Sequence, residues 1–204
     1  PDMEIHYTTD GSEPTATSPL YEKIVPVKEA LTLKGAIFAH GRQMGKTLIL
    51  PVRWNLATAK PVLGTNPTEK LLTNGIRGSL KYSDFEWCSW ADNDSVSFTI
   101  DLLKPEMLNT LTLGCITNNG MAIHKPASVR VEVSDDNSKF REAVVQSFTS
   151  EEIFREGNFI ENLSLKLGGT QARYVRVTAK GPGVCPASHV RSGQASRILS
   201  LIHI

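Results

Sequence analysis

Apolar and polar residues alternate along most of the chain, which is the period-two pattern of half-buried β-strands. The pattern predicts an inward-facing row of side chains at residues 96–102, 111–115, 129–133, 163–167 and 175–179. Helical patterns are confined to three short segments at residues 67–72, 105–108 and 151–156. The sequence therefore predicts an all-β fold in which helical turns are minor additions.

Clusters of Asn, Asp, Gly, Ser and Thr separate several of these strands, at residues 117–120, 135–138 and 168–170. Such short connections favour antiparallel strands and predict a β-sandwich rather than β-α-β units. Residues 55–67 lack periodicity and are rich in Pro, Gly, Thr and Asn, which is typical of a linker. We therefore predict two domains, residues 1–57 and 58–204.

The first domain has too few candidate strands for a complete sandwich. They lie at residues 4–8, 31–39 and 47–54, and the first begins almost at the start of the chain. We expect a small Ig-like β-sandwich that is truncated at its N-terminal side.

The net charge and the hydropathy of the chain argue against several classes of binding partner. The 204 residues carry a formal net charge of +1, so no overall field attracts nucleic acid or an anionic membrane surface. No apolar run reaches the roughly 18–20 residues of a membrane span. We expect a monomer that has neither nucleic-acid partners nor a membrane-spanning segment.

The residues that most often bind metal ions are scattered. Cys88, Cys115 and Cys185 form no Cys-x-x-Cys motif and are predicted to be buried thiols, with at most one pair in reach of a disulfide. The five histidines never fall at metal-ligand spacing and are interpreted as surface or hydrogen-bonded loop residues. The sequence predicts no metal site and no cofactor.

The N-terminal fifty residues contain an ordered set of short motifs. Glu4-Ile-His-Tyr-Thr-Thr-Asp-Gly-Ser-Glu-Pro14 is followed by Ser18-Pro-Leu-Tyr21, Leu31-Thr-Leu33 and Gly41. This series resembles the small β-sandwich on the C-terminal side of the catalytic barrel in bacterial chitobiases and β-N-acetylhexosaminidases. Its physical basis is a strand followed by a tight turn at Asp10-Gly11, after which Pro14 stops the ladder.

Further motifs follow in order: Leu72-Thr-Asn-Gly-Ile-Arg-Gly78, Tyr82, Trp87, Ser97-Phe-Thr-Ile-Asp-Leu102, Pro126-Ala-Ser-Val-Arg-Val-Glu-Val-Ser-Asp135, Phe140 and Arg173-Tyr-Val-Arg-Val177. Together they resemble the discoidin, or coagulation-factor type C, jelly roll, which many bacterial glycosidases carry as a carbohydrate-binding module. Members of that family with a structural calcium ion use acidic residues where this chain has Asn74 and His203. We therefore predict that no calcium ion is tightly bound here.

The enzymes of the first resemblance hydrolyse glycosides with an adjacent Asp-Glu pair in the barrel, and this chain contains no Asp-Glu dipeptide. The nearest carboxylate pairs are Asp135-Asp136 in a predicted turn and Glu151-Glu152 in a predicted helical turn, where solvated side chains are expected. The chain is predicted to be non-catalytic.

One segment is rich in aromatic residues, with Tyr82, Phe85, Trp87 and Trp90 within nine positions. A pyranose site needs a flat aromatic surface beside polar groups, so Trp87 or Trp90 is the candidate platform. The candidate hydrogen-bonding residues around it are Arg77, Tyr82, Asp84, Asp92 and Asn93, and the residues of neighbouring loops that would complete the site are Asn118, Asn119, His124 and His189. The alternative is that either indole packs in the core.

The two resemblances imply a non-catalytic C-terminal part of a secreted bacterial β-N-acetylhexosaminidase, located outside the cell, in the periplasm or on the cell surface. Its implied partners are glycans containing N-acetylhexosamine or galactose and the catalytic domain of the parent enzyme. The alternative function is an architectural or adhesion module that binds no sugar.

Overall fold

The computed structural model describes residues 3–64, 68–90 and 95–203, with the side chains of residues 201–203 excepted. Over half of the chain is β-strand, as the alternating pattern predicts. The chain divides into two compact units, Pro1–Trp54 and Asn55–Ile204.

The first unit is a three-stranded antiparallel sheet in the order β1-β2-β3. Its strands are β1 (Met3–Thr8), β2 (Leu31–Ala39) and β3 (Arg42–Val52). His40 and Gly41 both have positive φ, so they form the tight turn that connects β2 to β3. The Asp10-Gly11 turn has the expected form, because Gly11 has φ +80° and Ser12 donates two hydrogen bonds to Asp10 Oδ1.

The second unit forms a seven-stranded antiparallel sheet in the order β5-β10-β6-β9-β7-β8, with β4 beside β6. Its strands are β4 (Val62–Leu63), β5 (Cys88–Trp90), β6 (Ser95–Asn118), β7 (Ser128–Ser134), β8 (Arg141–Ser147), β9 (Asn158–Lys180) and β10 (Ile198–His203). The helical elements described are α1 (Ser150–Ile153) and two 3-10 turns, Glu69–Thr73 and Asn119–Met121.

The long strands β6 and β9 pair along most of their length and join the two layers of the sandwich. The β6–β9 register shifts between Asp101 and Glu106, where Leu103 adopts φ +71°. Buried side chains from both halves of β6 and β9 belong to one core cluster. The sheet therefore folds onto itself around its main core, which gives the discoidin-like β-sandwich.

An ion pair lies at this bend. Arg173 donates two hydrogen bonds to the Asp101 carboxylate, at 2.8 and 2.9 Å, and the guanidinium lowers the pKa of Asp101. The Leu103 amide donates a third bond to Asp101 Oδ1 at 2.8 Å. These contacts hold the backbone where the strand leaves one layer for the other.

Two local predictions were wrong. Residues 105–108 were predicted to be helical and lie inside β6, because the irregular bend there imitates a helical spacing. Residues 168–170 were predicted to be a turn and lie inside β9, where Gly168 and Gly169 adopt positive φ beside a second register shift in β6. Both errors arise because a bulge and a turn use the same residue types.

All three cysteines are free and buried, as predicted. Of the three predicted helical segments, residues 151–156 overlap α1, and residues 67–72 overlap a 3-10 turn except for Pro67, which lies outside the described residues.

Candidate functional site

The two tryptophans of the aromatic segment are buried, so the prediction that one of them is an exposed sugar platform is corrected. Trp87 is 4% exposed, packs on Ile116, Ile123 and Leu199, and donates from Nε1 to the Ser79 carbonyl at 3.0 Å. Trp90 is 8% exposed and stacks on Phe98 in the main core, with ring centroids 5.9 Å apart. Core packing, the alternative reading, describes both indoles.

Residues 79–90, called here the aromatic loop, are organised from inside by Asp84. Its carboxylate accepts hydrogen bonds from the backbone amides of Ser79 at 2.6 Å and Glu86 at 3.0 Å. Phe85, by contrast, is 87% exposed and has φ +65°. The loop therefore presents one aromatic ring to solvent, at a position that the sequence analysis did not single out.

The other predicted sugar-binding residues have different surroundings. Arg77 is half-buried and donates to Asn162 Oδ1, and Tyr82 packs against the Trp87 cluster. Asn118 ends β6 and exchanges two backbone hydrogen bonds with Ile123. Asp92 and Asn93 lie outside the described residues. A role of these residues in sugar binding stays a prediction.

Asn74, one of the two residues behind the prediction that no calcium ion is tightly bound, stabilises a turn. Its Oδ1 accepts from the Ile76 amide at 2.9 Å, and its Nδ2 donates to Glu86 Oε2 at 3.0 Å. Both ends of the side chain are therefore engaged within the protein.

A pocket of about 700 Å³ lies at one end of the sandwich. We call the residues around it the rim: Asn119, residues 150–157 and residues 186–190. Polar groups face it from Glu151, Arg155 and Glu156, and apolar groups from Phe154 and Val190, of which Val190 is 74% exposed. The pocket thus combines charged groups of both signs with an apolar wall.

Local structure fixes the first part of the rim. Thr149 and Glu152 form a capping box at the start of α1, and the hydrogen bonds from Thr149 lower the pKa of the Glu152 carboxyl. Ile153 is buried, which ties α1 to the protein interior. The Gly157 amide donates to Asn119 Oδ1 at 3.0 Å, so the two sides of this part of the rim are joined.

The second part of the rim belongs to a loop closed by its own backbone. The Cys185 amide donates to the Gln194 carbonyl at 2.9 Å, and the Gly193 amide donates to the Cys185 carbonyl at 3.0 Å. The Arg191 side chain donates a hydrogen bond to the Gly120 carbonyl at 2.8 Å, which connects this loop to the 3-10 turn that follows β6. Residues 186–190 are thereby held at the pocket.

Beneath the rim, His124 and His189 are in contact, with their Nε2 atoms 3.2 Å apart. His124 Nδ1 lies 2.6 Å from Ser196 Oγ, which in turn donates to the Ala122 carbonyl at 3.0 Å. His124 therefore carries its proton on Nδ1 in the neutral state, and its Nε2 lone pair faces His189. Burial, aided by His189, lowers the pKa of His124 to about 4, so the ring is neutral at neutral pH.

These histidines are where the structure departs most from the sequence-based view of scattered residues. His124 is a hydrogen-bonded loop residue, one of the two alternatives expected, and it is fully buried. His189 contacts the amide of Asn119 and lines the pocket. Three of the predicted neighbouring-loop residues, Asn119, His124 and His189, are brought together. Phe154, Arg155 and Val190 were missed, because nothing in the sequence places residues 150–157 beside residues 186–190.

Comparison with family models matches residues 57–192 to the F5/8 type C domain. The chain belongs to the F5/8 type C domain family. Residues 1–48 match a second model, the chitobiase/beta-hexosaminidase C-terminal domain. Both resemblances stated from the sequence are confirmed, and neither description names a catalytic domain.

Several solved structures are similar to this F5/8 type C protein at low sequence identity. SpGH29 is 16% identical with a TM-score of 0.46, over 73% of this chain and 27% of that chain. A Streptococcus pneumoniae fucose binding module, SpX-3, is 18% identical with a TM-score of 0.47, over 74% of this chain and 98% of that one.

A third similar structure is CpGH89CBM32-4 of Clostridium perfringens, in complex with GlcNAc-α-1,4-galactose. It is 16% identical with a TM-score of 0.44, over 73% of this chain and 93% of that one. A search among curated proteins found no match.

Two structural observations bear on other function classes. Ser196 and His124 form a serine–histidine contact, but both side chains are fully buried and Ser196 donates to a carbonyl, so a substrate cannot reach the hydroxyl. Within the described ranges, no helix has the length and apolar character that a membrane crossing requires.

Proposed function

We propose that the F5/8 type C domain binds carbohydrate in the rim pocket. The observation that supports this most directly is the pocket itself, which places Arg155, two carboxylates and an amide beside an apolar wall. Sugars offer hydroxyl groups to charged and amide side chains and C–H surfaces to apolar ones, so this combination suits a glycan.

Arg155 is the main polar candidate for sugar contact. Its guanidinium stacks over the Phe159 ring at 4.0 Å and lies 3.8 Å from Glu161, so the side chain is oriented while it stays exposed. A stacked guanidinium keeps its N–H groups directed outward at the ring edge, where they can donate to two adjacent hydroxyls. Val190 and Phe154 would contact the C–H surface of the same sugar.

We further propose that the parent polypeptide is a secreted β-N-acetylhexosaminidase or chitobiase, and that this module holds it near its glycans. The match of residues 1–48 to the chitobiase/beta-hexosaminidase C-terminal domain supports this proposal. Ligands containing N-acetylhexosamine or galactose are the first to test. Sequencing the native polypeptide that carries this chain is expected to find a catalytic barrel with an adjacent Asp-Glu pair; another catalytic domain would refute the proposal.

Affinity for a single glycan should be weak. A sugar held by a few exposed hydrogen bonds and one apolar wall yields roughly 4–6 kcal/mol, which corresponds to a Kd from about a millimolar to tens of micromolar. Titration calorimetry with N-acetylglucosamine-, N-acetylgalactosamine- and galactose-containing oligosaccharides measures this range. Binding of none of them would favour the architectural alternative.

Arg155→Ala is the deciding variant. We expect it to weaken glycan binding about tenfold, since a lost charged hydrogen bond costs roughly 1.5 kcal/mol or more. Arg141→Ala is the matched control, because Arg141 has similar exposure and a similarly long carboxylate contact, 3.9 Å to Asp135, away from the pocket. Phe85→Ala tests the aromatic loop. If it weakens binding while Arg155→Ala does not, the glycan site is the loop and not the rim.

A further inference from the structure

We propose that His124, His189 and Cys185 form a binding site for a borderline-soft divalent metal ion, with Zn²⁺ as the reference ion. One nitrogen from each histidine and the Cys185 sulfur lie within 4.8 Å of one another. Cys185 and His189 belong to one loop, and the fold brings His124 from a distant segment of the chain to meet them. The proposal is independent of glycan binding.

The geometry of the two imidazoles fits a tetrahedral ion. Zn–N bonds of about 2.0–2.1 Å at tetrahedral angles separate two ligand nitrogens by about 3.3 Å. The Nε2 atoms of His124 and His189 are 3.2 Å apart. A Zn–S bond of about 2.3 Å places the sulfur about 3.6 Å from each ligand nitrogen, so the Cys185 sulfur, which lies within 4.8 Å of them, has to approach no more than about an ångström.

The His124 ring is oriented by a hydrogen bond at one of its nitrogens, as the rings of metal-bound histidines usually are. Its Nδ1 donates to Ser196 Oγ at 2.6 Å, and Ser196 is held by the Ala122 carbonyl at 3.0 Å. A partner at one ring nitrogen fixes the tautomer and leaves the other nitrogen free to coordinate. His124 Nε2 is thereby presented as a lone pair toward the cluster.

Without an ion, the hydrogen bonds of His189 Nε2 conflict. His124 Nε2 is an acceptor 3.2 Å away, and the Asn119 amide nitrogen is a donor 3.1 Å away, since Asn119 Oδ1 already accepts from the Gly157 amide. A single ring nitrogen either donates or accepts, so one of these contacts is always unmade. An ion between the imidazoles replaces the His124–His189 hydrogen bond with two metal–nitrogen bonds, and the Asn119 contact is then the one left unmade.

Binding has a defined proton balance. Cys185 enters as a thiol and binds as a thiolate, releasing one proton to solvent. The Nε2 proton of His189 moves to Nδ1, which now accepts from the Arg191 amide at 2.9 Å, so that amide must turn away within its exposed loop. No electron is transferred. His189 lines the pocket, which gives the ion a path from solvent. A tetrahedral ion would take its fourth ligand, a water molecule, from that side.

Cobalt(II) titration of the full chain tests the site, because a tetrahedral cobalt thiolate has strong visible d–d bands and a near-ultraviolet charge-transfer band. We expect one Co²⁺ per chain with both features, and displacement by Zn²⁺. Calorimetry of Zn²⁺ binding in buffers of different ionisation enthalpy should show the release of about one proton. A titration without tetrahedral bands in the native protein overturns the proposal.

Cys185→Ser and His189→Gln are the site variants. Cys185→Ser should abolish the charge-transfer band, and both variants should weaken binding at least about tenfold. Cys115→Ala and His40→Gln are the controls, since one removes another buried thiol and the other an exposed histidine. Bands that survive in folded Cys185→Ser, or that vanish in His40→Gln, identify an adventitious surface ion only. Should Cys185→Ser not fold, a tenfold loss in His189→Gln supports the site and unchanged binding refutes it.

Discussion

The aromatic loop and the rim use their side chains in opposite ways. In the aromatic loop, the Asp84 carboxylate accepts hydrogen bonds from backbone amides and Trp87 donates to a backbone carbonyl. These side-chain polar groups therefore form their hydrogen bonds within the loop. In the rim, hydrogen bonds among the backbone, Asn119 and the Thr149–Glu152 pair hold the chain, which leaves Arg155 and Val190 facing the pocket. The segment with the most aromatic residues therefore packs its tryptophans into the core. The side chains that can contact a ligand lie instead around the pocket, where backbone hydrogen bonds hold the loops.

The largest effect expected from this difference is on stability. Trp87→Ala should lower the free energy of unfolding by about 3–5 kcal/mol, because it leaves a cavity beside Ile116, Ile123 and Leu199. Phe85→Ala, two residues away, should change it by less than about 0.5 kcal/mol, since that ring is 87% exposed. Urea unfolding of both variants measures the contrast. Equal losses would show that the loop is not divided into a buried and an exposed part.

Gly78→Ala tests how tightly the buried Trp87 indole is packed, because Gly78 contacts the indole ring. A Cβ at Gly78 would lie 2.3 Å from Cε2 of Trp87, so the buried indole must move, at a cost of about 1–3 kcal/mol. Gly35→Ala is the control, because its Cβ would meet no atom within 4 Å. Thermal unfolding followed by tryptophan fluorescence compares the two. A Gly78→Ala protein as stable as the native one would mean that the indole is loosely packed.

A smaller effect separates loop structure from ligand binding. Asp84→Ala removes the acceptor of the Ser79 and Glu86 amides and should cost about 1–2 kcal/mol of stability. Asp84→Asn keeps one acceptor oxygen and should recover part of that loss. Under the proposed function, glycan affinity at the rim stays unchanged in both variants, as measured by calorimetry below their melting temperatures. A loss of affinity in folded Asp84→Asn would move the binding site toward the aromatic loop.

The smallest effect is a pH dependence confined to the rim. The pKa of Glu152 is lowered in the folded state, mainly by the hydrogen bond from the Thr149 amide. The ionised carboxylate therefore stabilises the folded protein, and this stabilisation is fully present above the ordinary carboxyl pKa. This stabilisation is lost as the pH falls through the pKa of the folded state, which lies below the ordinary glutamate value of 4.5. The NMR shift of the Thr149 amide should titrate there, whereas Trp87 Nε1–H should not respond. In Glu152→Gln the Thr149 titration should disappear; its persistence would assign it to another group.

The alternating pattern predicted most of the second unit correctly. The inward rows at residues 96–102, 129–133 and 175–179 are buried because period-two alternation directly reports which face of a strand meets the core. Separate predicted strands are joined in β6 and β9, however. A bulge with a left-handed residue such as Leu103 bends a strand without ending it, and its residues resemble those of a turn.

The candidate site was predicted far less completely than the fold. Trp87 and Trp90 were selected by residue type, and exposure depends on which neighbours cover a side chain rather than on its type. Asn119, His124 and His189 were included, but only as residues of neighbouring loops. Their contacts span 65 or more sequence positions, and no periodicity links positions so far apart.

By itself, the sequence determined the all-β class, the inward face of each strand and the two family resemblances. These properties are local or are carried by ordered motifs, so they survive without knowledge of the folded chain. Only the tertiary structure decided that Trp87 is buried while Phe85 is exposed, and that His124, His189 and Cys185 meet beneath the pocket. Burial and side-chain convergence depend on how distant strands pack, and that packing is settled by the whole core at once.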